Sequence, residues 1–159
     1  MPRFLVCPSF LFEEVSMRCS EVMKSQVQTI SAGDSIQSAA AKMAVANVGF
    51  LPVCDEAARV VGTVTDRDIT VRAVARGRSP SECPVAEIMS RDVVTCRPDD
   101  DLETAERFMA GYQKSRMVVT DVGGKVAGVI SLSDIARREV ASKTARILRG
   151  VVAREAPRR

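Results

Sequence analysis

Two short motifs contain the residue types that could do chemistry. Thr65 is followed by Asp68 three residues later, and Ser131 is followed by Asp134 at the same spacing. Each motif follows a β-branched run and is typical of a helix start, where unpaired backbone N–H groups and a partial positive charge can bind a phosphate. The hydroxyl could donate to that phosphate, and the carboxylate could accept from a ribose diol. A single motif of this kind is also explained by an ordinary helix cap.

The two motifs belong to an internal duplication. A shift of 66 residues aligns 19–69 with 85–135 without a gap, and 14 of the 51 aligned positions are identical. About three identities would be expected by chance at ordinary residue frequencies. The elements that position the motifs must therefore occur twice, in the same order.

Each copy predicts a strand, a helix, two further strands and a second helix. The strands are predicted at 27–29, 50–53 and 60–65 and again at 93–95, 117–119 and 126–131, and the second helices at 66–76 and from 132 toward 152. Asp34 and Asp100 are the predicted N-caps of the first helices, with Gln37 and Glu103 as capping-box partners, and Gly77 is a predicted C-cap. Helical spacing predicts one buried face on each of these two helices. The residues are Ile36, Ala39, Ala40 and Met43 in the first, and Leu102, Ala105, Phe108, Met109 and Tyr112 in the second.

The duplication divides the chain into five segments. We predict an N-terminal arm at 1–16, a first repeat at 17–78, a linker at 79–83, a second repeat at 84–142 and a basic C-terminal helix or tail at 143–159. A unit of about 60 residues is marginal alone, so the two repeats are expected to share a core. The predicted fold class is α+β. Met17 could be the functional start, because organised sequence begins after it.

Composition excludes several classes of protein. Five cysteines without a C-x-x-C pair, and the absence of histidine, argue against a zinc site and predict reduced thiols. The sequence contains no P-loop, no glycine-rich dinucleotide fingerprint and no histidine-based catalytic constellation, so we expect no enzyme. No apolar run approaches the roughly 20 residues of a transmembrane helix. We expect a cytoplasmic protein that does not contact a membrane.

The net charge of +3 is concentrated at the end of the chain. Residues 143–159 contain six basic side chains and one acidic one. Such a tail is most often a solvated helix end, and contact with nucleic acid is the less favoured alternative. The apolar residues within 140–152 are expected to pack within or between chains.

The doubled motif and the gapless repeat resemble the CBS-domain pair, or Bateman module, over about residues 19–140. The most specific feature is the signature G-h-h-[ST]-x-x-D, which starts at Gly62 and again at Gly128. The resemblance implies two tandem β-α-β-β-α CBS repeats packed around a pseudo-two-fold axis. The stretch 65–69 looks most like the stand-alone bacterial members of the family, which carry no attached enzyme or channel.

The resemblance also implies an adenosine-containing ligand in the clefts between the repeats. AMP, ADP or ATP is the expected ligand, S-adenosylmethionine or NAD is possible, and no ligand is expected to act as a catalytic cofactor. Asp68 and Asp134 would bind ribose hydroxyls, and Thr65 and Ser131 would contact phosphate. The residues expected to flank adenine are Val27, Thr29, Phe50, Leu51, Pro52, Val93, Thr95, Met117 and Val118.

Two arginines complete the predicted site, and the two copies differ. Arg67 adds positive charge beside the first motif, and Arg116 matches a family position from which arginine can reach phosphate. The second copy departs from the family pattern, since Val118 stands where the first copy has Pro52. If only one cleft is occupied, we expect the cleft of Thr65 and Asp68.

The function implied by the resemblance is regulatory. The ligand would change the packing of repeats or protomers and so alter the activity of an unidentified protein partner in signal transduction. We expect a homodimer, as is usual for CBS pairs. The alternatives are a ligand-independent dimeric interaction or stress-related scaffold and, less favoured, nucleic-acid binding through the basic tail.

Overall fold

A computed structural model describes residues 17–138 and 141–152, with side chains described outside 139–146. The predicted arm at 1–16 and the end of the tail at 153–159 lie outside the described residues. The elements in chain order are α1 (Cys19–Val22), β1 (Ile30–Ser31), α2 (Ile36–Ala46), β2 (Phe50–Cys54), β3 (Val60–Thr65), α3 (Asp66–Asp68), β4 (Thr95–Cys96), α4 (Leu102–Gly111), β5 (Arg116–Thr120), β6 (Val126–Ser131), α5 (Leu132–Ala136) and α6 (Ala141–Val152). Among the described residues, no helix is long and apolar enough to cross a membrane.

The two copies form two three-stranded sheets of the same topology. The strand orders are β1-β2-β3 and β4-β5-β6, with the first pair of each sheet parallel and the second antiparallel. The registers also match, because Phe50 pairs with Thr65 and Arg116 pairs with Ser131. The α+β class and the duplicated architecture are confirmed.

Contacts between the copies reveal the pseudo-two-fold axis. Thr63 forms an antiparallel bridge with Ser90, and the 66-residue shift turns this bridge into the one between Lys24 and Val129. A third bridge joins Arg59 to Lys125, which occupy the same position in the two copies. The axis therefore passes beside this bridge. The copies therefore pack head to head as equivalent halves.

In each copy, the segment before the first strand packs in the core of the other copy. We call these segments, 18–24 and 84–90, the lead segments. Cys19 and Val22 belong to the core of the second copy, and Val85 and Ile88 belong to the core of the first. The five segment boundaries stay a prediction. Both lead segments pack in the core of the copy to which the sequence did not assign them.

The first strand of each copy begins later than predicted. Val27, Thr29 and Val93 lie in extended loops, and only Thr95 of the predicted residues is in a strand. Thr63 uses its backbone N–H and C=O on Ser90, at 2.9 Å each. On its other side, Thr63 pairs with Pro52 of β2. The backbone nitrogen of Pro52 therefore points toward β1, and a proline has no N–H to donate there. At the position that matches Pro52, Val118 allows the pair with Thr95.

The N-caps of the first helices are Ser35 and Asp101, one residue after the predicted ones. Ser35 caps α2, and its hydroxyl accepts from the Ser38 N–H at 3.2 Å. Asp34 instead accepts from the Ser31 N–H at 3.1 Å, in the turn before the helix. Asp100 accepts from the Arg97 N–H in the same way, at 2.7 Å. The prediction of Asp34 and Asp100 as caps, with Gln37 and Glu103 as partners, was wrong because these aspartates stabilise the preceding turn.

Most of the predicted helix faces are buried. Ile36, Ala39, Met43, Leu102, Ala105 and Met109 are 5% exposed or less. Ala40, Phe108 and Tyr112 are exposed, contrary to the prediction. The rings of Phe108 and Tyr112 stack on each other, with centroids 6.1 Å apart, because these positions lie at the edge of the stripe that faces the sheet.

The helices that follow the motifs are interrupted. After α3, the chain continues as a π-helical turn (Ile69–Ala73) and a 3₁₀ turn (Val74–Arg76), and Gly77 ends it with φ of 66°, as predicted. The predicted helix from 132 toward 152 is divided into α5 and α6. Helix α6 packs on α4, where Ile147 and Val151 are buried. Ile147 and Val151, among the described side chains of the segment 140–152, therefore pack within the chain.

Candidate functional site

The first motif is a complete capping box. Asp68 Oδ2 accepts from the Thr65 backbone N–H at 2.9 Å and from its hydroxyl at 2.7 Å. The same hydroxyl oxygen accepts from the Asp68 N–H at 3.1 Å. The other oxygen, Oδ1, lies 3.3 Å from Arg72 Nε, and Arg72 also donates to the Ile88 carbonyl at 2.8 Å. The carboxylate is thus held on both sides by its own helix.

The second motif repeats the box with a different cation. Asp134 Oδ2 accepts from the Ser131 N–H at 3.0 Å and from the Ser131 hydroxyl. Its Oδ1 lies 3.2 Å from Nζ of Lys24, which comes from the lead segment of the other copy. Burial alone would raise the pKa of Asp134, but the hydrogen bonds from Ser131 and the Lys24 ammonium outweigh it, so the pKa lies below the usual value. An ionised carboxylate therefore faces the gap between the copies.

A cavity of about 430 Å³ opens at the second motif. This volume lies in the range of small-molecule sites. It combines the loop before β1 and the end of α2 from the first copy with β6 and α5 from the second copy. The lining residues are Lys24, Gln26, Val27, Gln28, Ala46, Asn47, Val48, Gly49, Phe50, Arg116, Val129, Ser131, Ser133 and Asp134.

The lining combines apolar and polar side chains from the two copies. Val27, Val48 and Phe50 come from the first copy, and Ser131 and Asp134 come from the second. This combination suits a ligand with a flat apolar ring and a hydroxylated, charged end.

Arg116 stands between the two clefts. Its guanidinium carbon lies 5.9 Å from the centroid of the Phe50 ring, at the position that the repeat matches to Phe50 itself. This distance is within the range of a cation–π contact. Arg116 also lines the cavity at Asp134 and is exposed, so its charge can reach an anion there.

The matching cleft near the first motif is divided into two cavities. One has a volume of about 30 Å³ and is lined by Phe50, Thr63, Asp92, Val93, Val94, Lys114, Arg116 and Val118. The other has a volume of about 580 Å³ and is lined by Asp92, Val93, Val94, Thr95, Phe108, Tyr112 and Lys114. Tyr112 and Lys114 replace the smaller Ala46 and Val48 of the other copy. Thr65 and Asp68 line neither cavity, whereas Ser131 and Asp134 line the cavity of 430 Å³.

The structure divides the predicted site residues among several places. Val27, Phe50, Arg116, Ser131 and Asp134 meet in the 430 Å³ cavity. Leu51, Pro52 and Met117 are buried in the sheets. Thr29 lies outside the three cavities described above, and its carbonyl accepts from Lys42 Nζ at 2.9 Å. Thr65, Arg67 and Asp68 also lie outside their linings, and Arg67 is exposed.

Six polar or glycine residues of the cavity were missed. They are Lys24, Gln26, Gln28, Asn47, Gly49 and Ser133. The repeat contained one signal for Lys24, since the two copies differ in charge at this position, where the second copy has Ser90. The lead segment was not considered because its crossing to the other copy cannot be read from local pattern. Asn47 has a left-handed φ of 52° and ends α2, a role that short polar residues fill without any ligand.

The fold and the site together define a class of protein, namely a tandem α+β repeat with a ligand-sized cleft between its copies. The profile of the CBS domain matches residues 19–74 and 85–141, and the chain belongs to the CBS-domain family. The resemblance to the CBS-domain pair, which rested on the doubled signature, is confirmed.

Known proteins of this family are similar over most of the chain. The CBS domain-containing protein YhcV of Bacillus subtilis is 37% identical over 125 residues, which are 79% of this chain and 87% of that protein. The CBS domain protein TA0289 from Thermoplasma acidophilum is 25% identical with a TM-score of 0.75, over 84% of this chain and 75% of that chain.

A third relative was solved with ligands. The CBS domain pair of MJ0100, in complex with 5′-methylthioadenosine and S-adenosyl-L-methionine, is 28% identical with a TM-score of 0.69. The similarity covers 76% of this chain and 94% of that chain. An adenosine group is thus known to bind a pair of this fold.

Proposed function

We propose that the chain is a regulatory module that binds an adenine nucleotide in the cleft at Asp134. The observation that carries the proposal is the 430 Å³ cavity, which is lined by an ionised carboxylate from one copy and by Val27, Val48 and Phe50 from the other. The complex of the MJ0100 pair with adenosine ligands supports the same ligand class. The proposal is regulatory rather than enzymatic.

The cleft offers a partner for each part of such a ligand. Adenine would lie between Val27 and Phe50, where apolar side chains and the backbone of Gly49 are available. The ribose hydroxyls would donate to Asp134, which accepts as a charged group and therefore strongly. The Ser131 hydroxyl would turn from Asp134 and donate to the phosphate. In contrast to the preference drawn from sequence, this places the favoured site in the second motif.

The charges of the lining favour a phosphate-bearing ligand. Lys24 and Arg116 are cations and Asp134 is the single anion among the lining residues. An anionic AMP, ADP or ATP would therefore be attracted, whereas the sulfonium of S-adenosylmethionine would add a positive charge beside two others. We propose that nucleotide phosphates are preferred over S-adenosylmethionine.

Binding in this cleft would alter how the copies pack. The lining comes from both copies, so a bound nucleotide would favour the arrangement in which both copies contact it. We propose that this change is passed to a protein partner, and that the protein acts as a homodimer in the cytoplasm. Sedimentation equilibrium at tens of micromolar protein would detect the dimer.

Calorimetric titration of a ligand panel tests the proposal. Titrated with AMP, ADP, ATP, S-adenosylmethionine, NAD and GMP, the protein is expected to bind at least one adenine nucleotide and to bind it more tightly than S-adenosylmethionine and GMP. At 100 times the dissociation constant, the ligand should stabilise the fold by about 2.7 kcal/mol. The melting temperature should then rise by roughly 5–10 °C.

Two results would contradict the proposed function. No binding by any member of the panel at millimolar concentration would favour the ligand-independent scaffold. A salt-sensitive gel shift with nucleic acid that disappears when 143–159 is deleted would favour the basic tail as the functional element. GMP is the matched control, since it differs from AMP in the base alone.

A further inference from the structure

Lys24 occupies a position that the sequence pattern did not mark. Its backbone is fixed, because its N–H donates to the Val129 carbonyl and its carbonyl accepts from the Val129 N–H, at 3.0 Å each. Its side chain crosses from the first copy to Asp134 of the second and lines the cavity. The side chain is 63% exposed, whereas that of Asp134 is 7% exposed. An exposed lysine side chain therefore lies beside a buried carboxylate.

The first motif lacks this arrangement. Ser90 stands where the second cleft has Lys24. The cation on Asp68 is Arg72, which comes from the same helix and is also held by the Ile88 carbonyl at 2.8 Å. Arg72 has two acceptors, whereas the Lys24 ammonium pairs with Asp134 alone among the described residues and ends a flexible stem. At Asp134, but not at Asp68, the cation on the motif carboxylate comes from the other copy.

We infer that Lys24 selects ligands by charge, moving its ammonium from Asp134 to a ligand phosphate. This inference rests on the proposed function. In the empty cleft Lys24 neutralises the buried carboxylate, whose ionised form would otherwise be costly. When ribose hydroxyls donate to Asp134 Oδ1, the ammonium is displaced and needs another anion. A phosphate on the same ligand supplies it, and Arg116 adds a second positive charge on that side.

The inference separates phosphorylated from unphosphorylated ligands. Adenosine would bind at the cost of separating Lys24 from Asp134, with no phosphate to receive the ammonium. AMP would bind with every charge paired. The ratio of AMP affinity to adenosine affinity therefore measures the role of Lys24, and a residue that only supports the fold would change both affinities together.

The test is calorimetric titration of AMP and adenosine into the wild-type protein and Lys24→Gln, with Lys24→Arg and Lys125→Gln as controls. Lys24→Gln is expected to weaken AMP about tenfold, a loss of about 1.4 kcal/mol, and to leave adenosine within about twofold of wild type or tighter. Lys24→Arg should keep the wild-type ratio because it keeps the charge. Lys125 is exposed at its bridge with Arg59 and lies outside the lining of the cavity, so Lys125→Gln should change neither affinity.

Each other outcome overturns the inference. Equal weakening of AMP and adenosine would make Lys24 a structural residue and leave the proposed function standing. An unchanged AMP affinity in Lys24→Gln would show that the ammonium does not meet the phosphate. Failure of both ligands to bind the wild-type protein would reject the inference and the proposed function together.

Discussion

Replacing Asp134 by asparagine is expected to weaken nucleotide binding about 100-fold, on the basis of the 1.5–3 kcal/mol that hydrogen bonds to charged groups contribute. The substitution keeps the size of the side chain and removes the charge that the ribose hydroxyls and Lys24 both use. An amide oxygen can still accept from the Ser131 N–H, so the capped helix start should persist. Calorimetric titration with AMP measures the loss.

The matched control is Asp68→Asn. Asp68 has the same spacing to its hydroxyl and the same capping box, but it lies outside the lining of the 430 Å³ cavity. Its substitution is expected to change AMP affinity less than about twofold if the cleft at Asp134 is the functional one. A larger loss in Asp68→Asn than in Asp134→Asn would place the site in the first motif, as the sequence had favoured.

Replacing Gly128 by alanine is expected to destabilise the fold by about 2 kcal/mol, which would lower the melting temperature by about 5 °C. A Cβ at this position would lie 2.7 Å from Met23 Sδ and 2.9 Å from the Lys24 carbonyl oxygen. The methionine side chain can move, but the carbonyl is paired with the Val129 N–H at 3.0 Å. The lead segment must therefore shift away from β6, and Lys24 with it. Thermal unfolding followed by circular dichroism measures the effect.

Two further glycines show whether the cost is specific. Gly33→Ala should leave stability unchanged or raise it by about 0.5 kcal/mol, because a Cβ there meets nothing within 4 Å. Gly62 is the symmetry mate of Gly128, and its Cβ would lie 2.7 Å from Met89 Sδ and 3.0 Å from the Ser90 carbonyl oxygen. Gly62→Ala should therefore cost about as much as Gly128→Ala. Equal stability of Gly33→Ala and Gly128→Ala would reject the close packing of the lead segments.

Gly62 and Gly128 give a physical reason for a feature that recurs in both copies. The signature glycine in each copy stands where the lead segment of the other copy crosses β3 or β6. Met23 and Met89, the matched methionines, fill the space above it. The repeat showed that these residues recur, and the structure shows that they recur because the copies exchange their lead segments.

Local pattern predicted the elements well where local forces decide them. The strands at 60–65 and 126–131 were predicted with their observed bounds, because β-branched residues run into a hydroxyl–aspartate helix start. The buried face of α2 was predicted from 3.6-residue spacing. In the first copy, Thr29 stays outside the strand because the residue opposite it in β2 is Pro52, whose nitrogen is directed toward β1 by the bridge between Thr63 and Ser90. In the second copy, Val93 also lies before the strand, although Val118 replaces the proline there.

The site depended on contacts that no local pattern contains. The sequence identified both motifs, but it could not show that Asp134 faces Val27 and Phe50 across the axis. Nor could it show that the cavities near the first motif leave out Thr65 and Asp68, because their lining comes from distant parts of the chain. The preference between two similar motifs therefore rested on family resemblance, and the lining of the 430 Å³ cavity is the reason why we propose the other motif.

A crystal structure of the protein with AMP would show whether the cleft at Asp134 binds the nucleotide. We expect the nucleotide between the two copies, with adenine against Val27 and Phe50 and the ribose hydroxyls about 2.6–3.2 Å from the carboxylate of Asp134. The Lys24 ammonium should then lie against the phosphate rather than on Asp134. AMP bound to Asp68 instead, or bound away from the gap between the copies, would contradict the account.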